Sequence, residues 1–193
     1  MGKERSKEWY DAIYQDNTQK SGTYSQEPEK SQYYQVWQKT IDIIKEKNLS
    51  AVLDIGCGPG QFGKLCIKNK LGYLGWDFSK TAIEMAKRLN PNNTLQFKVC
   101  SDLLTMRDIT FPQVITMIEV LEHIDKDILL LNKLFCKTLI ISVPDYNNAG
   151  HVRWFRSEEE IRARYGEVIP IEKIIPIRSK LHTIFIIVAT YET

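Results

Sequence analysis

The run VLDIGCGPGQFG, residues 52–63, carries an apolar stretch onto an acid, Asp54, and then sets Gly56, Gly58 and Gly60 in alternation. Glycines in that pattern let the chain take positive φ and approach a ligand closely. A helix opening near Gln61 would point free N–H groups at the same spot, where something anionic is preferred. GWDF then places Asp77 at the carboxyl tip of a strand. A carboxylate there can accept both hydroxyls of a ribose, or it can act as a capping acid ahead of Ser79. Farther along, EVLEHI holds Glu119, Glu122 and His123, which share one face at i, i+3 and i+4 if the segment is helical. Together with His151 in GHVRWF, these two carboxylates and two imidazoles suit a divalent metal. Either histidine alone suits a general base, since imidazole titrates near neutrality. In the structural alternative, the acids only cap a helix or border a pocket.

A second group of residues could meet an acceptor. Tyr10, Tyr14 and Tyr24 bring hydroxyl-bearing rings to the N-terminal segment, where they also suit a half-buried helix. Tyr146, Asn147, His151 and Arg153, in SVPDYNNAGHVRWF, can offer hydrogen bonds over a pocket mouth. Trp154 and Phe155 beside them read as pins that hold this loop to the core. His182, in a terminal hairpin turn, reads as surface.

These residues are positioned by a strand–helix rhythm that begins at Ala51. AVLDI is a short buried strand, GQFGKLCIKN a helix and GYLGWDF a second strand. SKTAIEMAKRLN is an amphipathic helix with Ser79 as N-cap and Asn90-Pro91 at its end. LQFKVC and FPQVITMI are strands three and four, DKDILLLNKLF a helix, and KTLIISVP strand five. SEEEIRARYG is a helix capped by Ser157, with acids in its first turn and Gly166 at its end. IEKIIPI and TIFIIVATY are joined only by RSKLH, too short for a parallel crossover, so they form an antiparallel pair. The pattern is α/β, a doubly wound sheet with an antiparallel edge. Residues 1–48 differ in composition. Trp37, Ile41 and Ile44 mark a helix in YYQVWQKTIDIIKEK, and TQKSGTYSQEPEK is a polar loop broken at Gly22 and Pro28. One domain over 1–193 is expected, with 1–48 a helical cap or substrate segment and 49–193 the cofactor-binding core.

The 193 residues are 43% hydrophobic and 26% charged with a net charge of +2, ordinary values for a globular chain. No clustered basic face speaks for nucleic acid, and TIFIIVATY is too short to span a bilayer. Cys57, Cys66, Cys100 and Cys136 show no CxxC spacing and read as reduced thiols of a cytoplasmic protein. Oligomeric state is not encoded in any pattern. The ligand of the glycine loop need not be NAD: G-C-G-P-G departs from G-x-G-x-x-G. Carboxylates near the strand ends would suit a ligand that carries ammonium and sulfonium charges.

VLDIGCGPGQFG, GWDFSKTAIEMAKR, VCSDLL, ITMIEVLEHI and LIISVPD, taken in order, resemble the successive motifs of class I S-adenosylmethionine-dependent methyltransferases. The resemblance implies a seven-stranded sheet with an antiparallel C-terminal hairpin, and S-adenosylmethionine as cofactor. It implies that Gly56, Gly58 and Gly60 wrap the methionine moiety, with Asp54, Cys57, Ser79 and Ser101 beside them in the cofactor-binding set. Asp77 would then take the ribose hydroxyls, Phe78 flank the adenine, Asp102 and Leu103 meet its amino group, and Glu119 border the reacting centre. The ExxEH motif is similar to that of ubiquinone-biosynthesis-type O-methyltransferases. It is also similar to that of small-RNA 2′-O-methyltransferases, which bind a metal with it and a distant histidine. The leading expectation is methyl transfer to a hydroxyl of a small molecule or glycan precursor. The alternatives are an RNA 2′-O-methyltransferase with a metal at Glu119, Glu122, His123 and His151, and a non-catalytic cofactor-binding scaffold.

Overall fold

The computed structural model describes residues 2–19, 23–105, 109–111 and 113–191, with the side chains of 17–19 and 23 left aside. Gly22 and Pro112, read above as a breaker and as part of strand four, lie outside the described residues. The elements are α1 (Lys7–Gln19), α2 (Tyr34–Glu46), β1 (Ala51–Ile55), α3 (Gln61–Lys68), β2 (Gly72–Asp77), α4 (Lys80–Leu89) and β3 (Phe97–Val99). They continue with β4 (Ile109–Thr110), β5 (Val114–Ile118), α5 (Asp127–Leu131), β6 (Leu134–Phe135), β7 (Thr138–Pro144), α6 (Glu158–Tyr165), β8 (Ile171–Arg178) and β9 (Thr183–Thr190). Seven strands form one sheet in the order β3-β2-β1-β5-β7-β9-β8, with β9 antiparallel to both neighbours. This is the doubly wound α/β architecture with a C-terminal antiparallel hairpin.

The chain divides into two compact units. In Arg5–Asp102, β1 pairs in parallel with β2 from Ala51↔Gly72 to Ile55↔Trp76, and β2 with β3. The inner strands are apolar because both faces are covered, and Val52, Leu53 and Ile55 are sealed from solvent. The boundary expected at residue 48 falls inside this unit, since α2 buries Ile41, Ile43 and Ile44 there. The segment EWYDAIYQDN is helical as part of α1, and the polar loop contains two short 3-10 turns, Thr23–Ser25 and Pro28–Lys30. Residues 2–4 and 103–191 form the other unit. There β5 pairs in parallel with β7, and β7 pairs antiparallel with β9 from Thr138↔Thr190 to Pro144↔Ile184.

Caps follow the sequence. Ser79 Oγ accepts from the Ala82 amide at 3.0 Å and Ser157 Oγ from the Glu160 amide at 3.4 Å. Several expected boundaries shrink. Strand three starts at Phe97 because Pro91–Gln96 form a 3-10 segment, and strand four starts at Val114. The helix expected through Phe135 stops at Leu131, and Leu134–Phe135 pair instead with Ile109–Thr110 in a small separate sheet. A continuous apolar run does not reveal where helix yields to strand.

Candidate functional site

In Arg5–Asp102 the glycine loop leaves β1 and is held from below by β2. The Trp76 carbonyl accepts the Gly56 and Cys57 amides at 2.7 and 3.0 Å. Gly56, Gly58 and Gly60 all adopt left-handed φ, at 77°, 51° and 79°. Their roles diverge. A Cβ on Gly60 would lie 2.8 Å from Ala86 Cβ and from Phe97 Cε1, so its close approach is to the core. A Cβ on Gly58 would meet only Tyr14 Oη at 3.4 Å. Gly58 therefore faces the open side of the loop, with the Tyr14 hydroxyl nearby, while Gly60 faces the core.

Asp77, at the tip of β2, is 6% exposed. Its Oδ2 accepts from the Gly58 amide at 2.9 Å and its Oδ1 from the Ser79 amide at 2.8 Å, so one carboxylate ties the loop to the start of α4. Burial lifts its carboxyl to about 6 against the pull of those amides. Asp54 lies in the core, where Tyr73 Oη donates to its Oδ2 at 2.7 Å. Cys57 is buried, and desolvation with the nearby Asp77 and Asp54 pushes its thiol far up, leaving it unreactive. Ser79 Oγ donates to Asp11 Oδ1 at 2.5 Å, and the same oxygen accepts from the Thr81 amide at 3.2 Å. Tyr10 meets Phe78 edge-on at 5.3 Å, and Tyr14 meets Tyr24 at 5.1 Å. These three tyrosines are half-buried around the loop. Ser101 and Asp102 are exposed just past β3, where the Cys100 amide donates to the Asp77 carbonyl at 2.8 Å. Leu103, half-buried, opens the other unit.

In residues 103–191 the EVLEHI segment departs from the helix considered above. Glu119 leaves β5 with a left-handed φ of 56°, and a single 3-10 turn, Leu121–His123, follows. Glu119 therefore does not share a helical face with Glu122 and His123. It is pinned instead by Ser142, whose Oγ accepts from the Glu119 amide at 2.9 Å and donates to Glu119 Oε1 at 2.8 Å. A bulky residue at positive φ is uncommon and tends to cluster with function. Burial lifts the Glu119 carboxyl to about 7.

Glu122, His123 and His151 come together: one ligand atom from each lies within 4.8 Å of the others. Glu122 is fully buried, and neither carboxylate oxygen has a hydrogen-bond partner among the described residues. Its carboxyl is pushed well up by burial and then by Glu119, against a smaller pull from Arg153. The two imidazoles meet edge-on at 4.8 Å. His123 Nδ1 lies 3.1 Å from the Gly150 carbonyl and His151 Nδ1 lies 3.0 Å from the Tyr146 carbonyl. A carbonyl can only accept, so each Nδ1 is the donor and each Nε2 carries the lone pair. Burial keeps both rings neutral, lowering His123 to about 4 and His151 in the same direction. Orphaned buried carboxylate oxygens beside two neutral imidazoles fit a divalent cation.

The remaining acceptor candidates separate. Tyr146 is half-buried, 5.6 Å from the His151 ring and 4.2 Å from that of His182, while Asn147 is exposed. Arg153 does not offer its guanidinium to an acceptor. Its side chain is 10% exposed, and its donors go to backbone carbonyls and Asp127. Phe155 is buried against Tyr165 at 5.5 Å and pins its loop as read, while Trp154 is half-buried. Asp11, Tyr73, Ser142 and Asp127 were missed. Their partners lie far away in sequence, and only the alternation Tyr73, Gly75, Asp77 on one buried face of β2 hinted at any of them.

Residues 53–135 match a family model described as a methyltransferase domain. No curated protein matches the chain. Among solved structures, the methyltransferase domain of bacterial CtHen1-C superposes with a TM-score of 0.64 at 21% identity, over 81% of this chain and 98% of that one. The magnesium protoporphyrin IX methyltransferase of Synechocystis PCC 6803 with bound S-adenosylhomocysteine gives a TM-score of 0.64 at 17% identity, over 82% and 83%. The [4+2]-cyclase SpnF gives 0.69 at 12% identity, over 98% of both. Such likenesses speak for the fold, which hosts more than one chemistry. Among the described residues no helix is long and apolar enough to cross a membrane. The likeness to a methyltransferase domain thus lies in residues 53–135, and the strand order of the whole sheet is that of a Rossmann-like methyltransferase fold.

Proposed function

We propose that this protein transfers the methyl group of S-adenosylmethionine to a hydroxyl of a small, sugar-containing acceptor, and that Glu122, His123 and His151 hold a divalent cation in doing so. The observation that carries the reading is Glu122, fully buried beside two neutral imidazoles, with no hydrogen-bond partner to either carboxylate oxygen among the described residues and His123 Nε2 3.8 Å from its Oε1. A lone buried carboxylate is costly and normally paired or metal-bound. A cation there would supply Lewis-acid activation of the acceptor oxygen.

The chain's own residues do the rest. Glu122 contributes charge, and His123 and His151 contribute Nε2 lone pairs fixed by the Gly150 and Tyr146 carbonyls. Gly58 leaves room for the methionine moiety under the Tyr14 hydroxyl, and Asp77 takes the ribose hydroxyls while it tethers the loop. The electrophile arrives with the cofactor, so the protein's task is near-attack alignment of oxygen and methyl carbon. A sugar-containing acceptor suits the modest net charge and the exposed Asn147 and His182 near Tyr146.

One observation favours a second reading, methylation of an RNA 2′-hydroxyl: Glu122, His123 and His151 are three of the four residues by which the chain resembles the small-RNA 2′-O-methyltransferases, and they lie together. Incubation with methyl-tritiated S-adenosylmethionine and a cell lysate, with and without EDTA and with Mn²⁺ restored, separates the readings. Label in the glycan or small-molecule fraction that EDTA abolishes and Mn²⁺ restores is the expected result. Label in RNA would move the assignment to the second reading. Label that survives EDTA would remove the cation and leave a histidine as general base. Cofactor binding without label in any fraction would favour the scaffold.

A further inference from the structure

We infer that Arg153 is the positioning residue that sets the spacing of Glu122, His123 and His151; the inference rests on the metal-binding reading of those three residues. They come from two separate loops. Glu122 and His123 sit on the Leu121–His123 turn after β5, and His151 sits in the loop after β7. Direct ties join the loops: the Val152 amide donates to the Glu122 carbonyl at 2.7 Å, and His123 Nδ1 donates to the Gly150 carbonyl at 3.1 Å. Arg153, two residues beyond His151, provides the wider brace. Its Nη1 donates to the Leu121 carbonyl and, at 2.5 Å, to the Ile124 carbonyl; its Nη2 donates to the Asp125 carbonyl at 3.2 Å. The guanidinium therefore brackets the two ligand-bearing residues on both sides.

The brace is itself held. Asp127, 1% exposed, lies 3.2 Å from Arg153 Nη1. The same carboxylate accepts from Arg164 Nε at 2.8 Å, from Arg164 Nη2 at 2.7 Å and from Tyr165 Oη at 2.8 Å. On the far side of the turn, Glu4 Oε2 accepts from the Asp125 amide at 2.8 Å. A rigid planar fork holds carbonyls at fixed, widely spread positions, whereas an ammonium gathers its three donors on one nitrogen at the end of a flexible stem. The charge on Arg153 thus serves the geometry of the cluster and not the recognition of an acceptor.

The test uses the full-length chain with R153M and R153K. Mn²⁺ affinity is measured by calorimetry, and the nuclear Overhauser effect between the His123 and His151 ring protons is recorded in metal-free protein. Folding and S-adenosylmethionine affinity serve as controls that should not change. For R153M the expected results are loss of the ring–ring effect and a rise of ~10–100-fold in the Mn²⁺ dissociation constant, with R153K falling between. An unchanged dissociation constant together with a retained ring–ring effect would overturn the positioning role. If the wild-type chain binds no Mn²⁺, the metal reading fails by itself, and the metal-free ring–ring effect decides whether Arg153 orders the two imidazoles. Should R153M not fold, the same comparison is made between R153K and wild type.

Discussion

At the scale of residues, Glu122 gives the sharpest test, because stability and function should move in opposite directions. Its carboxyl is raised by burial and by Glu119. A raised carboxyl stabilises the fold below the unfolded-state value, about 4.3 for Glu, and that contribution is lost as pH rises through the folded-state value. Above the unfolded-state value the metal-free wild type must either hold a proton that the unfolded chain gives up or bury a charge, and Glu122→Gln removes that cost at nearly constant shape. The variant should be more stable by ~1–3 kcal/mol at pH 8, a melting-temperature rise of ~2–4 °C per kcal/mol. The gain should shrink at pH 5, where the folded wild type keeps its proton. Methyl transfer should fall at least ~10-fold, and added Mn²⁺ should no longer raise the melting temperature. Equal melting curves at pH 8 would mean that Glu122 finds a partner in solution. The residue types of this cluster were legible in EVLEH and GHVRWF. The exclusion of Glu119 was not, because a left-handed φ at that glutamate leaves no mark on apolar spacing.

At the scale of elements, the glycine loop and α1 make separable contributions. Gly60 lies against Ala86 and Phe97, so Gly60→Ala should push α3 off α4 and β3 and cost more than ~2 kcal/mol in chemical denaturation. Gly58→Ala meets only the Tyr14 hydroxyl, so backbone strain of ~1–2 kcal/mol is the expected stability loss. Its main effect should be a drop in S-adenosylmethionine affinity by calorimetry, and the reverse ranking would undo the division of roles. Asp11 makes a further prediction. It accepts from Ser79 Oγ and from the Thr81 amide, and so supplements the cap of α4 from α1. Asp11→Ala should cost ~0.5–2 kcal/mol and speed amide exchange across Lys7–Asp16 more than across α4. Equal protection in both helices would show that the link to α1 adds nothing. The capped helices were readable because Ser79 and Ser157 act on amides within a few residues. The Asp11 link was hidden because it spans nearly seventy residues, and the β4–β6 pair because two-residue strands carry no period.

At the scale of the whole molecule, charge decides between acceptor classes more sharply than the fold does. The doubly wound sheet and its antiparallel hairpin were legible in the alternation of elements and the short RSKLH link, whereas the order β3-β2-β1-β5-β7-β9-β8 was not, because alternation says nothing of which strands lie side by side. That architecture also carries a cyclase, so it cannot select the acceptor. Electrostatics can. Lys and Arg total 26 against 24 for Asp and Glu, and many cations are already engaged: Lys64 with Glu27, Lys68 with Glu29, and Arg153 and Arg164 with Asp127. An RNA held through 6–10 phosphate contacts would lose ~10³–10⁵ in affinity between 50 and 200 mM salt. A neutral glycan held by hydrogen bonds releases no condensed counterions. For the acceptor fraction that takes up label, kcat/KM should therefore change by less than ~3-fold over that salt range at fixed Mn²⁺. A steep fall, with cofactor affinity unchanged, would mean that phosphate contacts hold the acceptor and would transfer the assignment to an RNA hydroxyl.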